Sequence, residues 1–179
     1  MPNWCNNYTE IEGPVETIKE LYNAGKDEKF LEHMAPLGNW DYHDAIAQWG
    51  TKWEIDIVGL DLTVNGDTAT IKGYFESAWS PPEQAFNTYM MNNEDVSARL
   101  FYYEPAMDFV GSIEHGSFSV YDEKDFFETN PLGIQLDGMF GIVDMLDDYN
   151  EEMELEAINT DPTILNNPEG NDSKAEETT

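Results

Sequence analysis

Four short words hold the residue types best suited to chemistry: Asn3-Trp4-Cys5-Asn6, Trp49-Gly50-Thr51-Lys52-Trp53, Ser77-Ala78-Trp79-Ser80-Pro81-Pro82 and Tyr103-Glu104-Pro105. An indole offers a flat apolar face and an N–H that needs an acceptor when buried. Two arrangements use such residues. In the plainer one the aromatics close the core where helices meet a sheet, and Asn3, Asn6, Thr51 and Ser80 satisfy indole N–H groups, caps and turns. In the other, Asn3, Trp4, Asn6, Trp49, Lys52, Trp53, Trp79, Tyr103 and Glu104 line a concave site for a small molecule or peptide. Lys52 is one of only 8 bases, and its Trp neighbours permit a cation–π contact.

Catalytic chemistry finds little support. The three histidines, His33, His43 and His115, fit neither an HExxH pattern nor a paired Cys/His spacing, so no zinc site is expected. The stretch Asp61 to Asp67 places oxygens as a calcium loop would, but Lys72 stands where the bidentate Glu belongs, and a hairpin is the better reading. Cys5 reads as a small buried hydrophobe, since a nucleophile would need a histidine brought beside it. Glu54 and Asp56 share a strand parity that could serve acid–base work, yet chance pairs are expected among 37 carboxylates. No phosphate-cradling glycine loop occurs. A non-enzymatic chain without cofactor, metal or catalytic residues is therefore expected.

The net charge of −29 opposes direct binding of nucleic acid or an anionic membrane. Residues 137–179 are the most acidic, with 13 acids against the single base Lys174. Such a surface either keeps the chain dispersed or imitates nucleic acid and occupies the basic surface of a host protein, for instance a nucleic-acid-binding one. Asp137, Asp144, Asp147, Asp148, Glu151, Glu152 and Glu154 form the expected acidic face. No run reaches the roughly 18 apolar residues that span a bilayer, and the N-terminus lacks a signal-peptide pattern, so a cytoplasmic chain is expected.

Taken in order, the four aromatic words resemble the YubB-type ferredoxin-like domain family, small proteins carried mainly by phages and plasmids, over roughly residues 1–120. The resemblance implies a fold, a mobile-element origin and an aromatic patch, and it implies no activity.

The elements that must position these residues read independently of the resemblance. Trp4 to Ile11 predicts a strand running into a helix at Gly13-Pro14, where Val15, Ile18, Leu21 and Tyr22 recur at helical spacing. Short helical patterns follow at Phe30, Leu31 and Met34 and from Asp41 to Trp49. From Trp53 the period is two, and its parity flips after Val58-Gly59, which predicts a bulge. Asn65-Gly66 predicts a type I′ hairpin turn into Thr68–Phe75. Ser80-Pro81-Pro82-Glu83 predicts a capping box with Ser80 as N-cap, opening a helix that buries Phe86, Tyr89 and Met90. Ser97 to Tyr103 is the next strand, with a strand or hairpin appended through Phe109–Ile113 and Phe118–Tyr121. A single acid-rich helix is expected from Asp137 to Glu156, with Met139, Ile142, Val143, Leu146 and Tyr149 as its apolar stripe.

The predicted fold is α+β: a ferredoxin-like βαββαβ core with an added strand or hairpin, an acidic C-terminal helix and a disordered tail. The expected divisions are a ferredoxin-like domain at 1–121, an acidic helical extension packed on it at 122–159, and a disordered tail at 160–179. Two functions are expected to compete: binding of a basic host-protein surface through the acidic face, and binding of a small ligand or peptide through the aromatic site.

Overall fold

Alternation of buried and exposed residues along β1 (Trp4–Pro14) sets up the whole molecule: Cys5, Asn7, Thr9 and Ile11 point to one side and Tyr8 and Glu10 to the other. The computed structural model describes residues 3–120 and 124–160, so the expected tail beyond Thr160 lies outside the described residues. The described chain falls into two compact units divided between Ile142 and Val143.

After β1 come helices α1 (Val15–Lys26), α2 (Phe30–Met34) and α3 (Tyr42–Trp49), then β2 (Asp56–Asn65), β3 (Thr68–Ala78), α4 (Glu83–Asn92) and β4 (Ser97–Glu104). A single 3-10 turn, Pro105–Met107, leads to the hairpin β5 (Phe109–Ser112) and β6 (Gly116–Phe118), and α5 (Lys124–Thr129) and α6 (Pro131–Phe140) complete the first unit. The six strands form one antiparallel sheet in the order β2-β3-β1-β4-β5-β6.

Helices α1 to α4 supply Ile18, Leu21, Phe30, Leu31, Ala45, Trp49 and Phe86 to a core closed by Cys5, Ile11, Ile71, Phe75 and Leu100 from the sheet. The rings of Phe30, Phe75 and Phe86 meet at centroid distances of 6.3–6.4 Å. Burying each contributes about 1.5–3 kcal/mol. The N-terminus of α2 has no local cap and is satisfied from afar: Glu54 accepts the Leu31 N–H at 2.8 Å and the Glu32 N–H at 3.1 Å. That contact occupies the Glu54 carboxylate, so Glu54 and Asp56 do not form an acid–base pair. Burial is the largest influence on Glu54 and raises its pKa despite these bonds.

The bulge lies where the parity flip places it, between Ile57 and Gly59, with Val58 turned out to solvent. Gly73 faces it at φ 155°, and a Cβ there would fall 2.0 Å from the Gly59 carbonyl oxygen, so the two backbones can approach only without a side chain.

Three local expectations differ from the structure. The β2–β3 turn is one residue later, at Gly66-Asp67, and only Gly66 has positive φ, which is the II′ pattern instead of I′. Helix α4 starts at Glu83 with Pro82 as its N-cap, because the Ser80 hydroxyl is engaged elsewhere. The acid-rich segment is two helices, α6 and α7 (Ile142–Thr160), separated at Gly141, whose N–H returns to the Asp137 carbonyl at 2.7 Å. The appended hairpin forms, with its second strand at Gly116–Phe118, slightly earlier than the apolar pattern suggests.

Candidate functional site

Hydrogen bonds tie the aromatic words into one corner of the first unit. Buried Asn7 donates to the Cys5 carbonyl at 2.7 Å and to the Ser77 hydroxyl at 2.9 Å. Ser77 in turn donates to the Ser80 carbonyl at 2.8 Å, and the Ser80 hydroxyl donates to the Gly50 carbonyl at 2.6 Å. Thr51 donates to the Ala78 carbonyl at 2.9 Å, and the Trp79 N–H to the Asn3 carbonyl at 2.9 Å. Ser, Thr and Asn therefore join backbone segments far apart in sequence and do not serve as indole acceptors. The indoles use carbonyls instead: Trp49 donates to Ala35 at 2.7 Å and Trp40 to Lys52 at 3.2 Å.

This latch presents four of the five tryptophans outward. Trp4, Trp40 and Trp53 are 38%, 60% and 39% exposed. Half-buried Trp79 holds the Lys52 ammonium 4.1 Å from its ring centre. The cation–π contact thus forms with Trp79 and not with the flanking Trp49 or Trp53. Trp79 adopts φ 73°, a left-handed backbone uncommon for a bulky residue, held by the bonds on either side of it.

The predicted aromatic site is divided. Asn3, Trp4, Lys52, Trp53 and Trp79 belong to the exposed corner. Trp49 is a core residue, 4% exposed. Asn6 and Tyr103 pair across β1 and β4 on the opposite sheet face, where Tyr103 is buried against Phe140 of α6. Glu104 is 1% exposed, and its side chain caps the 3-10 turn at the Met107 N–H. Trp49, Tyr103 and Glu104 are thus buried and Asn6 is half-buried, closer to the plainer of the two expected roles.

Beside the corner, a cleft of about 310 Å³ is lined by Gly50, Pro81, Glu83, Tyr102, Phe109 and Ser117. The Tyr102 and Ser117 hydroxyls are 3.0 Å apart at its floor, and the Tyr102 and Phe109 rings meet edge-on at 6.0 Å. Burial pushes the Tyr102 phenol up, Ser117 opposes this and Glu83 adds to it, so the phenol stays protonated. Behind this wall Cys5 is wholly buried, its thiol pushed up chiefly by burial, which removes it as a nucleophile.

The open sheet face carries an ionic cluster that sequence reasoning missed. Glu10 accepts from Lys72 at 2.8 Å and from Arg99, and the Tyr8 hydroxyl donates to it at 3.2 Å. The Tyr8 and Tyr74 rings meet alongside at a tilt, their centroids 4.9 Å apart. Trp40, Tyr102, Phe109 and Ser117 were also missed. Trp40 had a local signal, an aromatic in a Gly-Asn loop just before the N-cap Asp41; the others depend on strand register.

On α7, Asp144, Asp147, Asp148, Glu151 and Glu152 are exposed at three- and four-residue spacing, with Glu154 on the same helix. Asp137 belongs to α6 and is half-buried, so it leaves the expected acidic face. Among the described residues no three His, Cys, Asp or Glu side chains could hold a metal together, and no helix is long and apolar enough to cross a membrane.

No model of a known protein family matches the chain, and no curated protein or solved structure matches it.

Proposed function

We propose that the chain is a non-catalytic binding module that engages a basic surface on a partner protein, with the exposed tryptophan corner as anchor and the acidic surface as guide. The observation that carries this reading is the exposure of Trp4, Trp40 and Trp53 around the Lys52–Trp79 contact, on a scaffold fixed by the Asn7–Ser77–Ser80–Gly50 bonds. Large indoles left in water cost hydrophobic free energy, and Trp heads the residues that anchor protein interfaces. A net charge of −29 and the carboxylates of α7 accelerate encounter with a positive surface and repel nucleic acid itself.

The architecture we propose for β1–β4 is a ferredoxin-like βαββαβ core, extended by the β5–β6 hairpin. Its support is the order β2-β3-β1-β4 and the placement of α1 and α4 on one face. The proposed link to the YubB-type family and a mobile-element origin rests on the short words alone.

The test is affinity capture from cell lysate at low and high salt by the wild-type chain, by Trp40→Ser/Trp53→Ser, and by a chain with Asp148→Asn, Glu151→Gln and Glu152→Gln. A basic protein retained by the wild type at low salt, weakened by the acidic substitutions and lost with the tryptophans supports the reading. Equal capture by all three chains contradicts it.

A further inference from the structure

We infer that the cleft beside Gly50 is a binding site for an organic cation carrying a guanidinium or primary ammonium group. The inference rests on the cleft alone and does not depend on the partner-binding role proposed for the tryptophans.

Glu83, half-buried at the first turn of α4, is the formally charged residue of the lining, and among the described residues no base pairs with it. The Tyr102 and Ser117 hydroxyls, 3.0 Å apart, are held on neighbouring parts of the β4–β5–β6 sheet, and the Tyr102 side chain is itself 1% exposed, so its oxygen is fixed in place. Gln84 adds an exposed amide at the rim. Phe109 supplies an aromatic wall, fixed edge-on against Tyr102.

These groups choose among ligands. An anion would meet Glu83, with no base lining the cleft. A wholly apolar ligand would desolvate the Glu83 carboxylate without offering it a donor. One carboxylate with two hydroxyls falls short of the six or more oxygens that calcium takes. A guanidinium or ammonium has only N–H donors, matching acceptors at Glu83, Gln84, Tyr102 and Ser117, while its charge suits the face of the Phe109 ring. The volume of about 310 Å³ is at the small end for ligand pockets, the size of one extended amine or one long basic side chain.

Gly50 holds the mouth open. It ends α3 at φ 88°, and a Cβ there would lie 3.0 Å from the Pro81 carbonyl oxygen and 3.5 Å from the Gln84 side chain.

The experiment is calorimetric titration of the full chain with agmatine, with acetyl-arginine amide, and with acetyl-citrulline amide as the uncharged isostere. Both cations are expected to bind with submillimolar affinity and the citrulline compound is not. Tighter binding of agmatine assigns a free amine as the natural ligand, and tighter binding of the capped arginine assigns a peptide side chain; either supports the site. Glu83→Gln is expected to weaken binding about tenfold or more, as loss of a charge-assisted bond should. Gln84→Lys, at an exposed helix position that tolerates lysine, should abolish binding by placing an ammonium in the cleft. Trp40→Ser/Trp53→Ser should bind both cations as the wild type does. Equal heats from the citrulline compound, or undiminished binding by Glu83→Gln and Gln84→Lys chains with wild-type circular dichroism, would assign the cations to the general negative surface and overturn the inference.

Discussion

Lys52 rests its ammonium 4.1 Å from the centre of the Trp79 ring, joining a residue just after α3 to one just after β3. Both termini of this contact are fixed by hydrogen bonds to backbone carbonyls, from the Trp40 indole N–H to Lys52 and from the Trp79 backbone N–H to Asn3. A partly solvent-exposed cation–π pair contributes about 0.5–1 kcal/mol. Lys52→Ala is therefore expected to lower the urea midpoint slightly without changing the slope, and to alter Trp79 fluorescence. An unchanged emission spectrum would mean that the pair does not persist in solution.

Asn7 is the inner end of the latch. Asn7→Ala removes the donor to the Cys5 carbonyl and the Ser77 hydroxyl inside the core, and each buried group left unpaired costs about 1–3 kcal/mol. Ser80→Ala, at the half-buried outer end, should cost less. Denaturant unfolding of the two variants checks this order, and a larger loss at Ser80 would contradict it.

Two carboxylates should titrate with opposite signs. Burial alone would raise the pKa of Glu10, but the Lys72 hydrogen bond and the Arg99 and Lys72 charges outweigh it and hold Glu10 below the usual range. Its contribution is full above the unfolded value of about 4.3 and is lost as pH falls through the lower folded value. Glu54 is the reverse. Its folded pKa is raised, so the folded state binds the proton more tightly, and stability relative to Glu54→Gln should grow as pH falls through that raised value. Unfolding free energies of wild type, Glu10→Gln and Glu54→Gln across acidic pH should show the two differences moving in opposite directions. Parallel movement would refute the assigned environments.

Gly50→Ala puts a Cβ into left-handed backbone against the Pro81 carbonyl. The conformational cost is about 1–2 kcal/mol, read from thermal unfolding. A neutral or stabilising result would mean that the α3–β2 corner relaxes freely and that the mouth of the cleft is not rigid.

Much of the sheet was legible because its signals are local. The parity flip at Gly59 encodes the bulge within a few residues, and Ile18, Leu21, Phe30 and Met34 reveal their helices by spacing. Ser80 misled for the opposite reason: its sequence context is that of an N-cap, yet a carbonyl thirty positions away competes for the same hydroxyl. Glu104 shows a similar limit: it was expected to line the aromatic site, while its partner, the Met107 N–H, draws the carboxylate inward. Glu10, Lys72 and Arg99 stand on β1, β3 and β4, and Tyr102, Phe109 and Ser117 on β4, β5 and β6 of the same sheet. Their meeting is set by register, which no single stretch of sequence contains.

The most direct measurement of the tryptophan-anchored role is the dissociation constant of the captured partner for wild-type chain and for Trp40→Ser/Trp53→Ser, by calorimetry over a range of salt. Interface anchors of this type carry at least about 2 kcal/mol, so the tryptophan variant should bind some thirtyfold or more weakly while keeping the wild-type salt slope. Equal affinity for both chains at every salt concentration would contradict the role assigned to the corner.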